Sequence, residues 1–110
     1  MPVSDNPYES AIEVRPADLV PSPTGPPSSL LAKTSVLEVR RLVLARGREI
    51  PSHHATGEIT VHCLEGRIKF TAGDRDHDLK AGQLLILPAG QPHALVGLDD
   101  AVVLVTKVLK

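Results

Sequence analysis

The segment Gly82-Gln83-Leu84-Leu85-Ile86-Leu87-Pro88-Ala89-Gly90-Gln91-Pro92-His93 leaves the backbone fewer choices than any other part of this chain. Gly82 suits a turn that needs positive φ. Leu84 to Leu87 form a short apolar run, as in a strand with both faces buried. Pro88 and Gly90 end that run and re-aim the chain. His93 then stands where a new strand begins, at the rim of a β structure. A histidine placed there by rigid turns is a candidate metal ligand or acid/base group.

The rest of the chain from Ser35 onward has the same grain. Leu37, Val39, Leu42 and Leu44 alternate with charged residues, and the alternation slips near Arg40-Arg41, which suggests a strand with a bulge. Arg46-Gly47-Arg48-Glu49 is a polar turn. Ile59 to Leu64 reads as a strand, turned by Glu65-Gly66. Arg67 to Thr71 alternates charged and apolar residues, and Ala72 to Asp76 turns the chain again. Ala94 to Val96 and Ala101 to Leu109 are further β runs, separated by a turn at Gly97 to Asp100. No segment carries a helical period, and no internal repeat is visible. Strands of this length, with turns about every eight to ten residues, indicate an all-β sandwich or barrel.

A chain of 110 residues has room for one domain with a single core. Hydrophobic residues make up 42% of it but aromatics only 2%, so the core must be aliphatic. The lack of Trp and the single Phe argue against base-stacking surfaces for nucleic acid. A net charge of −1, from 12 basic and 13 acidic residues, offers no electrostatic footprint for nucleic acid or an anionic membrane. Cys63 is the sole cysteine, so an intrachain disulfide is impossible and a reducing compartment is expected. The N-terminus lacks the basic-then-apolar order of a signal peptide. No apolar run approaches the roughly 20 residues of a transmembrane helix. The expectation is a cytoplasmic protein.

Residues 1–34 read as an extended or partly disordered N-terminal arm, and residues 35–110 as the β domain. Pro2, Pro7, Pro16, Pro21, Pro23, Pro26 and Pro27 exclude a helix across the arm. Within it, Ser10-Ala11-Ile12-Glu13-Val14 is a candidate edge strand, exchanged with a partner subunit in one arrangement, and Leu19-Val20 is a candidate anchor.

The spacing Gly82, Pro88, Gly90, His93 resembles the second signature motif of the cupin superfamily: Gly, five residues, Pro, one residue, Gly, two residues, His. The family often adds Asn four residues later, where this chain has Gly97. The first cupin motif is approached by Gly47, His53, His54, Glu58 and Gly66, and Cys63-Leu64-Glu65-Gly66 is similar to the family's Val-Leu-Glu-Gly. Two departures stand out. The histidines are adjacent, whereas the family separates them by one residue, and Glu58 stands one position early relative to Gly66. Adjacent residues on a regular strand point to opposite faces. Both imidazoles therefore reach one metal only if the backbone there is looped or bulged, and Glu58 turns inward only with a bulge at Gly57. The resemblance implies a small single-domain cupin with a double-sheet jelly-roll barrel.

It also implies a mononuclear site for one divalent transition metal (Fe, Mn, Ni, Cu or Zn), held by His53, His54, Glu58 and His93. His62 joins the site if the register differs. The cavity is expected to be lined by Val61, Cys63, Phe70, Leu85, Leu87, Leu95 and Val103. Three functions follow as expectations. One is a metal-dependent cupin enzyme acting on a small organic molecule, as a dioxygenase or an isomerase. The second is a non-catalytic module that binds or senses a small metabolite without metal. The third is an interaction protein assembled through its arm. A homodimer is expected for the first two. Cys63, inside an apolar strand, reads as a small buried hydrophobe. His77 and the Asp99-Asp100 pair read as surface turns, and Arg40, Arg41, Arg46 and Arg48 as a solvated cationic face.

Overall fold

The computed structural model describes residues 11–14 and 27–109. Nine strands occur among them: β1 (Ser28–Lys33), β2 (Leu37–Leu44), β3 (Glu49–His53), β4 (Ile59–Glu65), β5 (Arg67–Ala72), β6 (Arg75–Lys80), β7 (Leu84–Leu87), β8 (His93–Gly97) and β9 (Ala101–Val108). The described residues contain no helix, and so none long and apolar enough to cross a membrane. The strands form a five-stranded sheet, β1-β2-β9-β4-β7, and a four-stranded sheet, β3-β8-β5-β6. Every pairing is antiparallel. The two sheets pack as a sandwich, the jelly-roll form of the all-β class.

Turn chemistry fixes the ends of the strands. Gln83 N–H donates to the Lys80 carbonyl at 2.9 Å, and Gly82, at φ 89°, takes the one position of that turn that needs the left-handed region. Gly66 turns β4 into β5 at φ 74°, and a Cβ there would collide with the Asp100 carbonyl. Gly97 occupies a tight approach of a different kind: a Cβ would lie 2.7 Å from the Ala45 carbonyl oxygen. A side chain such as the family's Asn would have to displace that backbone.

The core takes residues from both sheets. Leu44, Val61, Cys63 and Val103 come from the larger sheet, and Ile68, Phe70, Leu79 and Leu95 from the smaller. Cys63 is wholly buried, as its apolar setting suggests. On β4 the inward residues are Ile59, Val61 and Cys63, while Thr60 and His62 face outward, which is the expected alternation.

Some expectations are corrected. Ser28–Lys33, inside the segment expected as an arm, is a strand paired with β2. Leu30, Leu31 and Ala32 supply the apolar residues that the Pro-rich context obscured. The bulge expected near Arg40-Arg41 is not in β2, whose pairing with β9 runs without a break; the irregularity falls between Leu30 and Ala32 of β1. Strand β7 is not buried on both faces. It is the last strand of its sheet, and Leu84 and Ile86 are 56% and 64% exposed. An apolar run records hydrophobicity, not which of its faces finds a partner. Residues 11–14 carry no strand, and Ser10, Leu19 and Val20 lie outside the described residues. His77 lies in β6 opposite Phe70, not in a turn.

Candidate functional site

A cavity of about 320 Å³ lies between the sheets. Its extent follows from strand register. Val61 pairs with Val105, Arg40 with Val105, and both Glu38 and Ile59 with Lys107. Val61, Val105, Arg40, Ile59 and Lys107 line the cavity from the larger sheet, with Leu42 and Ser28. One step along the same rows, Cys63 and Val103 pair with each other and close into solid core. From the smaller sheet come Ile50, His53, Phe70, His93 and Leu95. Of the expected lining residues, Val61, Phe70 and Leu95 are in place. Cys63, Leu85, Leu87 and Val103 are not; they belong to the packed interior or lie against it. Sequence alternation identified the inward faces of β4 and β5 but not where along them the filling stops.

His53 and His93 meet across the β3–β8 pair. Their backbones are partners in register, and their ring centroids lie 4.3 Å apart with the planes at 61°. The meeting depends on an irregularity in β3. Ile50 pairs with Leu95 and His53 with His93, so three steps on β3 match two on β8. This extra residue, at Pro51-Ser52, restores His53 to the face that Ile50 occupies. Pro51 is tolerated because β3 is an edge strand. A second tie fixes the same corner: Gly90 N–H donates to the Ala55 carbonyl at 2.9 Å, joining the turn before His93 to the loop after His53. Gly73 N–H donates to the Pro92 carbonyl at 3.1 Å and holds the other side.

Both rings are oriented in the same way. His53 Nδ1 donates to the Pro51 carbonyl and His93 Nδ1 to the Gln91 carbonyl, each at 3.0 Å. A carbonyl oxygen only accepts, so the proton of each neutral ring resides on Nδ1 and Nε2 keeps its lone pair. His93 also stacks on Phe70, with centroids 5.5 Å apart and planes at 12°, and is 4% exposed. Burial pushes its pKa below the ordinary imidazole value of 6.5. The bond to Gln91 opposes that shift, and charge on His53, Lys107 and His54 adds to it.

The other expected site residues stand apart. His54 follows β3 and Glu58 precedes β4; both are exposed and neither lines the cavity. His62 faces outward between Leu84 and Leu104. Among the described residues no three His, Cys, Asp or Glu side chains converge to hold a metal ion. Two imidazoles with their Nδ1 atoms tied to carbonyls have the orientation that ligating histidines usually show. Two donors alone do not make the three- or four-ligand protein site expected for a resident metal. The full expected set therefore does not fit a metal as it is arranged here.

The residues that sequence reading missed are Arg40 and Lys107. Arg40 was expected on a solvated face, yet it shares the inward parity of Leu42 and Leu44. That parity was the available signal. Arg40 Nε donates to Glu38 Oε2 at 3.0 Å, and Lys107 Nζ lies 3.9 Å from the same oxygen.

Comparison with known proteins bears on this arrangement. A family model described as the cupin domain matches residues 40–107. No curated protein matches the sequence. A conserved protein of unknown function from Streptococcus pyogenes is 29% identical, with a TM-score of 0.71 over 76% of this chain and 73% of that one. An RmlC-like cupin protein from Desulfovibrio desulfuricans is 27% identical, with a TM-score of 0.69 over 74% and 80%. An RmlC-like cupin from Shewanella frigidimarina, at 16% identity, shares the fold, with a TM-score of 0.75 over 92% and 93%.

Proposed function

The chain belongs to the cupin domain family, and on that premise we propose that it binds a small organic molecule in the cavity between its sheets, with His53 and His93 as polar anchors. The observation that carries this reading is the pair of tethered imidazoles in an otherwise largely apolar cavity. Their Nε2 lone pairs accept hydrogen bonds from a hydroxyl or N–H of the ligand. Val61, Phe70 and Leu95 supply apolar contact. The volume is near the lower end of the roughly 300–1,000 Å³ typical of ligand pockets.

The test is ligand-observed NMR on the full chain with a mixed set of small fragments, repeated on a Leu42→Trp variant that fills the cavity. Fragments that bind the native chain and lose binding in the variant support the reading. Fragments that bind both alike, or none at all, overturn it.

A second reading keeps a divalent metal, Fe, Mn, Ni, Cu or Zn, at the same two imidazoles. The tethering of both Nδ1 atoms favours it. Elemental analysis of untagged protein, beside His53→Ala and His93→Ala, decides. Near-stoichiometric metal lost in both variants supports a metal centre; metal unaffected by either variant overturns it.

The proposed assembly is a homodimer. Support comes from Leu84 and Ile86, exposed on the outer face of edge strand β7, where apolar residues leave a sheet open to pairing. Sedimentation of an Ile86→Glu variant is expected to show monomer where the native chain shows dimer.

A further inference from the structure

We infer that the ligand carries a carboxylate, received by Arg40 and Lys107 at the end of the cavity opposite the solid core. This rests on the small-molecule reading above and names the class of molecule. Inward positions on β2 and β9 change character along their length. On β2 they run from Leu44 and Leu42 to Arg40 and Glu38, and on β9 from Val103 and Val105 to Lys107. Three charged side chains thus occupy positions where a filled sandwich would place aliphatic ones.

Their charges do not cancel. One carboxylate, Glu38, faces two cations, and both approach its Oε2 atom. The Glu38 side chain is only 12% exposed, against 34% for each of Arg40 and Lys107. Arg40 Nη1 has a single long contact, 3.4 Å, to Ser28 Oγ, and Nη2 has no partner among the described residues. Donors of a guanidinium left over from one carboxylate suit a second, because the planar fork accommodates carboxylate oxygens side by side. The net single positive charge matches a monoanion. The neighbouring walls, Leu42, Val61 and Val105, contain no competing anion and lower the local dielectric, which strengthens the attraction.

The two walls of the cavity therefore ask for different groups. Imidazole Nε2 lone pairs on the smaller sheet favour a hydrogen-bond donor. The cations of the larger sheet favour an oxyanion. A molecule with a carboxylate at one end and a hydroxyl at the other, joined by an apolar body, satisfies both.

The matched probes are 4-hydroxybenzoate and 4-hydroxybenzamide, which share shape and differ in charge. Each is titrated into the full chain by calorimetry, with backbone amide NMR to locate binding. The acid is expected to bind about tenfold or more tightly than the amide, the size of one charge-assisted hydrogen bond. Arg40→Gln and Lys107→Gln should each reduce that preference. Glu38→Gln removes the internal competitor and should raise affinity for the acid while leaving the amide unchanged, a gain that misfolding cannot mimic. Equal affinity for acid and amide, with cavity amides shifted by both, overturns the inference and leaves the small-molecule reading intact. Failure of both probes while other fragments occupy the cavity also overturns it. Failure of every fragment overturns the reading on which it rests.

Discussion

His93 couples the site to stability. Its folded pKa lies below the unfolded value near 6.5, chiefly because burial disfavours the imidazolium. Between the two values the unfolded chain binds more protons than the folded one, so stability falls as pH drops through that window. The contribution is complete above the unfolded value and gone below the folded one. Urea midpoints at about pH 7.5 and about pH 5 should therefore fall further for the native chain than for His93→Asn. An equal fall would show that His93 does not carry the effect. Cys63 provides a second test at this scale. Burial raises its thiol pKa, and the side chain is wholly buried. Iodoacetamide should leave Cys63 unmodified in the native chain and alkylate it once the chain is unfolded in urea. Rapid native alkylation would remove it from the core.

Among the elements, turns do more than connect. Gly66 joins β4 to β5 where the backbone passes directly against Asp100 and Ala101, and its φ is in the left-handed region. Gly66→Ala should destabilise by more than about 1 kcal/mol, since both the conformation and the space are denied to a Cβ. Chemical denaturation measures it, and an unchanged midpoint would mean that the β4–β5 turn can relax away from Asp100. The turns around Gly82 and Gly90 were legible in the sequence because only a few residue types allow them. The extra residue in β3 was not, although its consequence was anticipated as a condition: adjacent histidines cannot share a face unless the strand is irregular. The irregularity brings His53 to His93 and leaves His54 outside the cavity lining. Strand β1 was missed for another reason. Its short apolar stretch follows directly on prolines, and only pairing with β2 makes it a strand.

For the molecule as a whole, stability rests on an aliphatic core shared between the sheets, with Phe70 as its largest fully buried side chain. Phe70→Ala should cost about 3–5 kcal/mol. Thermal or urea unfolding checks it, and a loss under about 1 kcal/mol would mean that the neighbouring Leu95 and His93 collapse into the space.

The order of turns, the all-β class, the inward faces of β4 and β5 and the candidacy of His53 and His93 were determined by the sequence alone. Each follows from local rules: φ restrictions at Gly and Pro, and the alternation of strand side chains. Which inward residues end in solid core and which border a cavity was decided only in three dimensions. Cys63 and Val61 have the same parity and similar size, yet one is packed in the interior and the other lines the cavity. The difference depends on what the opposite sheet places across from them. Lys107 was illegible for the same reason, and Arg40 was signalled only by its parity with Leu42 and Leu44. Charge on a strand ordinarily marks the wet face, and only the continuous register of β2 with β9 shows that here it marks the mouth of the cavity.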